Sequence, residues 1–176
     1  MSKPVLSSSA ALPIAHVVLR ILIVLNWLGG AAILALLFVI PNEQWIMASF
    51  ELSPSPDAAR LVMGLRAIAG LGLAAIPLNY VVLQRLLAIV ETVRAGDPFV
   101  AANASRLRAI AWALVAVQLL SLVIGAIAKT LSTPAHPVDL DAGFSINGWL
   151  AVLLTFLLAR VFTEGTNMRE DLEGTV

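Results

Sequence analysis

Charge along the chain is confined to short polar stretches that separate four long apolar windows. Arg20 to Glu43 encloses 22 uncharged residues, Arg66 to Arg85 encloses 18, Arg108 to Lys129 encloses 20 and Asp141 to Arg160 encloses 18. At about 1.5 Å per helical residue these windows are roughly 27 to 33 Å long, which matches a hydrocarbon core of about 30 Å. None of them carries the polar stripe, recurring every three to four residues, that a helix of a water-soluble bundle turns to solvent. The pattern predicts an all-α, integral membrane four-transmembrane-helix bundle, one domain over 1–176, with spans over about 17–40, 61–84, 107–128 and 146–162.

The polar stretches define the rest. Residues 1–15 are small or polar and are expected to form a mobile tail. The first apolar stretch is longer than the core of a cleaved signal, so it reads as a retained anchor. Pro41 ends it, and an outer loop over 41–56 follows, with Trp45 suited to the headgroup layer. Ser55-Pro56-Asp57 has the serine, proline and carboxylate of a helix start, and the helical pattern then holds to about Arg94, with Gly96 as its stop. A helix of about 39 residues would measure near 58 Å. It must therefore extend into water, with Pro77 able to kink it inside the bilayer. The connector over 85–106 contains Asp97-Pro98, which predicts a short helical turn that returns Phe99 to the membrane surface. Asn103 or Ser105 is expected to cap the third span. A second outer loop over 129–145 is irregular, and the chain ends in a charged tail over 163–176.

Composition narrows the function classes. The chain is 60% hydrophobic and 12% charged, against about 25% charged in an ordinary soluble domain. Its 11 basic and 11 acidic residues cancel, so no net field draws nucleic acid. The absence of cysteine excludes thiolate chemistry and disulfides. Basic residues set the orientation. Lys3, Arg20, Arg85, Arg94, Arg106, Arg108, Arg160 and Arg169 fall on one side, and Arg60, Arg66 and Lys129 on the other. Eight against three puts both termini in the cytoplasm by the positive-inside rule. Trp112 and Trp149 then lie at the inner and outer rims, where aromatic belts form.

Two segments carry a family resemblance. The connector L-L-A-I-V-E-T-V-R-A-G-D-P-F-V-A-A-N-A-S-R-L-R-A-I-A and the ending F-T-E-G-T-N-M-R-E-D-L-E-G-T-V resemble a family of small four-span bacterial inner-membrane proteins of unknown function. Gly96, Pro98, Phe99, Asn103, Arg106, Leu107 and Arg108 match its connector pattern. The resemblance implies a multi-pass protein of the bacterial inner membrane. It also implies, from the genes often found beside the family, a small helix-turn-helix regulator as a cytoplasmic partner. It lends no catalytic residue.

No enzyme signature is present. His16 and His136 fall on opposite sides of the membrane in this topology, so they cannot share a metal site or a catalytic triad. No cofactor is implied. Coupled transport is disfavoured because all four windows lack the ionisable residue that marks an intramembrane pathway. The windows do hold uncharged polarity. Asn26, Asn79 and Thr155 lie roughly 8 to 9 Å from the inner boundary and Gln118 about 15 Å from it. This intramembrane polar layer reads first as interhelical hydrogen bonding and second as a lipid or small-molecule site. Ala109, Ala113, Ser121 and Gly125 form a small-residue stripe on the third span, and Gly29, Gly30, Gly70 and Ala74 could oppose it. The stripe reads first as packing within the bundle and second as a homodimer contact.

The connector is the sharper candidate. Arg94, Gly96, Pro98, Phe99, Asn103, Arg106 and Arg108 are its interaction candidates, and the tail offers Glu164, Glu170, Asp171 and Glu173. In one reading the arginines anchor to anionic membrane lipids while the tail stays solvated. In the other the tail folds back onto the connector and builds a surface that a partner reads. The sequence thus predicts a non-enzymatic interaction or regulatory protein of the inner membrane, with lipid or small-molecule binding or transport as the alternative.

Overall fold

The computed structural model describes residues 8–39, 56–132 and 141–173. Pro41, Trp45, Ser55 and His136 lie outside the described residues, as do the side chains of Asp57, Glu170 and Glu173. The described chain is all-helical: α1 spans Ser8–Val39, α2 Pro56–Arg94, α3 Ala101–Leu131 and α4 Ile146–Glu173. All four are long and apolar enough to cross a membrane. At about 1.5 Å per residue they run from roughly 42 Å to 58 Å, so each is longer than a hydrocarbon core of about 30 Å.

The 39 residues of α2 match the length that the helix signals predict, with Pro56 at the first helical position and Pro77 accommodated inside. The other ends differ from expectation. α1 begins at Ser8, well before the expected 17, so much of the expected mobile tail is helix. α4 continues without a break through the expected tail to Glu173, which places Thr163 to Arg169 on a helix. Both extensions have packing partners on the same side of the molecule as the connector. His16 Nε2 on α1 stands 3.6 Å from Glu91 Oε1 on α2. At the start of the α4 extension Phe162 packs on Phe99 with ring centroids 5.4 Å apart, and Gly165 within it lies against the same ring.

Packing is serial: only α1 with α2, α2 with α3, and α3 with α4 meet backbone to backbone among the described residues. α3 is flanked on both sides and carries most of the buried residues, among them Asn103, Leu107, Ile110, Ala111 and Ala113. Leu107, Ile110 and Ala159 form the central cluster, packed by Val82, Leu86 and Ile89 from α2 and by Leu114 and Phe162. The core therefore lies in the first half of α3, beside the connector. α1, at the edge, leaves Val17, Ile21, Val24, Leu28 and Phe38 exposed. A water-soluble monomer rarely shows apolar area on that scale, and lipid is the solvent that accepts it. The chain is a multi-pass membrane protein.

Candidate functional site

The connector is built from a helix stop. Gly96 has φ +85, the left-handed region that glycine enters without a Cβ penalty. Its N–H donates to the Val93 carbonyl at 3.1 Å and the Asp97 N–H to the Thr92 carbonyl at 3.0 Å. That is the paired closure of a Schellman motif, which satisfies the last carbonyls of α2. Residues 97–100 are not helical, so the expected turn after Asp97-Pro98 does not form. Val100, with φ −94 and ψ 140, stands at the N-cap of α3 in place of Asn103 or Ser105, and no side chain caps that end.

Asn103 is instead buried inside the first turn of α3, with no exposed surface. Its Nδ2 donates to Thr92 Oγ1 at 2.7 Å and to the Pro98 carbonyl at 2.8 Å. Its Oδ1 accepts from Arg106 Nη1 at 2.7 Å. Arg106 also reaches the Ala88 carbonyl of α2, at 3.3 Å, and Thr92 donates to the Ile89 carbonyl at 2.8 Å. One amide thereby ties together α2, the connector and α3 with both of its donor protons used. A buried polar network is stabilising when every member is satisfied, and the buried amide at its centre is.

The connector also holds α4. The Phe99 ring covers Gly165 so closely that a Cβ added there would lie 3.1 Å from its Cδ1. Arg169 Nη1 donates to Asp97 Oδ1. The extension of α4 thus does fold back on the connector, but with charges opposite to those expected: the connector supplies the acid and the extension the base. Glu164 pairs within its own helix with Arg160 at 2.8 Å. Arg106 is engaged by Asn103, while Arg94 and Arg108 are exposed and have no partner among the described residues. Sequence reasoning missed Thr92, Phe162, Gly165 and Arg169. The one available signal was the T-x-x-x-G-D-P-F run, in which a threonine one turn before a stop glycine offers a hydroxyl to the incoming strand of chain.

The four residues of the expected polar layer do not meet. Asn26 Nδ2 donates to the Ile76 carbonyl at 3.1 Å and joins α1 to α2 just before Pro77. Thr155 donates to the Ala151 carbonyl of its own helix at 2.7 Å. Gln118 lies over Gly148 and reaches the Ser145 carbonyl at 3.4 Å, at the far end of α4 from the connector. Asn79 is half-buried and makes no side-chain hydrogen bond among the described residues. A cleft of about 400 Å³ opens beside the Asn26 bond, lined by Trp27, Gly30, Leu34, Leu73, Ile76 and Pro77.

The small-residue stripe is partly filled by the chain itself. The Gly143 N–H donates to Ser121 Oγ at 3.1 Å, and a Cβ on Gly125 would lie 2.7 Å from the Gly143 Cα. Gly30 packs on Ile76, whereas Gly29 and Gly70 face open space. Trp112 is exposed and edge-on to Phe156. The Trp149 Nε1 is buried and has no hydrogen-bond partner among the described residues, which does not fit a wet belt position. Among the described residues no group of three His, Cys, Asp or Glu could hold a metal ion.

One protein-family model, described as protein of unknown function (DUF2975), matches residues 45–176. That range contains α2, α3 and α4 entire, with the connector, and none of α1. No curated protein and no solved structure matches the chain.

Proposed function

The chain belongs to the DUF2975 family of proteins of unknown function, and on that premise we propose that it acts without enzymatic chemistry, as a docking or regulatory protein of the bacterial inner membrane. Its termini, connector and α4 extension face the cytoplasm, an orientation supported by eight basic residues on that side against three on the other. The observation that carries the proposal is the Asn103 clamp. Loops that merely link two spans need no fully buried hub, whereas this one fixes α2, α3 and, through Phe99 and Asp97, α4 into one preformed face. A rigid face lowers the ordering cost of binding.

Arg85 and Arg94 stand exposed on the projecting part of α2, with no partner among the described residues. The partner is accordingly an acidic cytoplasmic protein, and the family resemblance suggests a small helix-turn-helix regulator. Capture of a co-expressed regulator by the full-length protein in detergent is the test. Charge reversal at Arg85 and Arg94 should abolish capture and leave the thermal midpoint unchanged; capture that survives the reversal contradicts the proposal.

A second reading rests on the apolar cleft between α1 and α2, which suits a lipid-like or small hydrophobic ligand beside Asn26. Gly30→Leu should then displace a photo-reactive hydrophobic probe from Trp27, and undiminished labelling removes this reading.

A further inference from the structure

A second pocket lies between α3 and α4 on the connector side, with a volume of about 270 Å³. Its cation is Arg108, exposed and without a partner among the described residues. Its other polar groups are Ser105, Thr163, Thr166 and Asn167, with Ala104 beneath them. Ala104 and Thr166 are buried, so the pocket has a packed floor.

The three hydroxyls of this lining have a defined hydrogen-bond polarity, while the Asn167 amide can both donate and accept. Ser105 Oγ lies 2.8 Å from the Ala102 carbonyl, Thr163 Oγ1 2.9 Å from the Ala159 carbonyl and Thr166 Oγ1 2.8 Å from the Phe162 carbonyl. A carbonyl has no proton to give, so each hydroxyl donates its own and keeps only lone pairs for a ligand. Arg108 is the reverse, offering up to five N–H donors and no acceptor. A bare anion would satisfy the arginine and meet three acceptors that repel it. A bare cation would have the opposite difficulty. A ligand that satisfies both carries an anionic oxygen at one end and N–H or O–H donors a few bonds away.

Depth suggests which such ligand. Arg108 and Arg160 bound the charge-free windows of their helices, so Arg108 lies at headgroup level. From Arg108 the lining climbs away from the membrane along α3 to Ala101, about 10 Å at the helical rise. We propose that this pocket binds a phosphodiester whose alcohol arm bears hydrogen-bond donors, with the phosphate on Arg108 and the donor arm on the hydroxyls of Ser105, Thr163 and Thr166. Ethanolamine and glycerol phospholipid headgroups have this chemistry, and the choline headgroup, with the same phosphate and no N–H, does not. The site is separate from the Arg85 and Arg94 surface, so it stands if the partner reading fails.

The test is native mass spectrometry of the full-length protein in detergent, with phosphatidylethanolamine and phosphatidylcholine of identical acyl chains in equal amounts. One net hydrogen bond corresponds to about a fivefold preference, so ethanolamine lipid should be retained at least about fivefold over choline lipid. Arg108→Gln should lose retention of both lipids, and Arg94→Gln should change neither. Thr166→Val keeps side-chain shape and should narrow the preference while phosphate-dependent retention persists. Soluble glycerophosphoethanolamine is the arm that distinguishes the source. If it displaces the lipid at equal concentration, the ligand is a free phosphodiester; if it does not, the ligand is a membrane lipid. Equal retention of the two lipids by the unaltered protein, or retention indifferent to Arg108→Gln, overturns the proposal.

Discussion

Asn103 occupies a position where most residues would be strongly destabilising. Asparagine has a low intrinsic preference for helix interiors, and a fully buried amide is costly unless its donors and acceptor are all engaged. Here they are, by Thr92, Pro98 and Arg106. Asn103→Leu should therefore destabilise the protein by about 1 to 3 kcal/mol, because the half-buried Arg106 and Pro98 carbonyl would lose their partner. Thermal unfolding in detergent, followed by circular dichroism, measures it. Gly96→Ala tests the helix stop, with an expected loss of about 1 to 2 kcal/mol from placing a Cβ at φ +85. At this scale the sequence was partly legible. Gly96 reads as a stop from its setting alone, because glycine after a helical run has one dominant use. Asn103 does not, because a side chain that caps a helix and one that bridges three elements look the same until the chain before it is placed.

Among the elements, the extension of α4 shows how the connector and the start of α3 together order a segment beyond the span. Thr166 is buried beside α3, and Phe99 supplies the apolar cover for Gly165. Phe99→Ala should therefore raise amide hydrogen exchange over residues 163–173 by at least tenfold. Removing the charge in Asp97→Asn should change it by less than about fivefold, since exposed ion pairs contribute at most about 1 kcal/mol. Equal effects of the two substitutions would mean that charge holds the extension. The helices themselves were legible because four charge-free windows leave lipid as the only solvent. Their ends were not: Ser8 to Ala15 and Thr163 to Glu173 are small or polar enough to read as tails, and only the neighbouring helices make them worth ordering.

For the molecule as a whole, serial packing places α1 at an edge where, among the described residues, α2 is the one helix that it packs against. A Cβ on Gly30 would lie 3.6 Å from the Cβ of Ile76, within the range of disulfides. The chain has no cysteine of its own, so the paired substitutions Gly30→Cys and Ile76→Cys should cross-link quantitatively under mild oxidation. A pair that joins α1 to α4 should not. Pairing order could not be read from the windows, because four apolar helices of similar composition say little about which neighbours each one chooses.

The preformed connector face is the claim on which the functional reading depends, and its rigidity can be measured directly. With spin labels on cysteines at Arg94 and Asn167, the distance between the end of α2 and the α4 extension is accessible by electron–electron double resonance in lipid bilayers. A single narrow distance distribution, which broadens in Phe99→Ala, is the predicted result. A broad distribution in the otherwise unaltered protein would mean that α4 is not held against the connector, and would contradict the account.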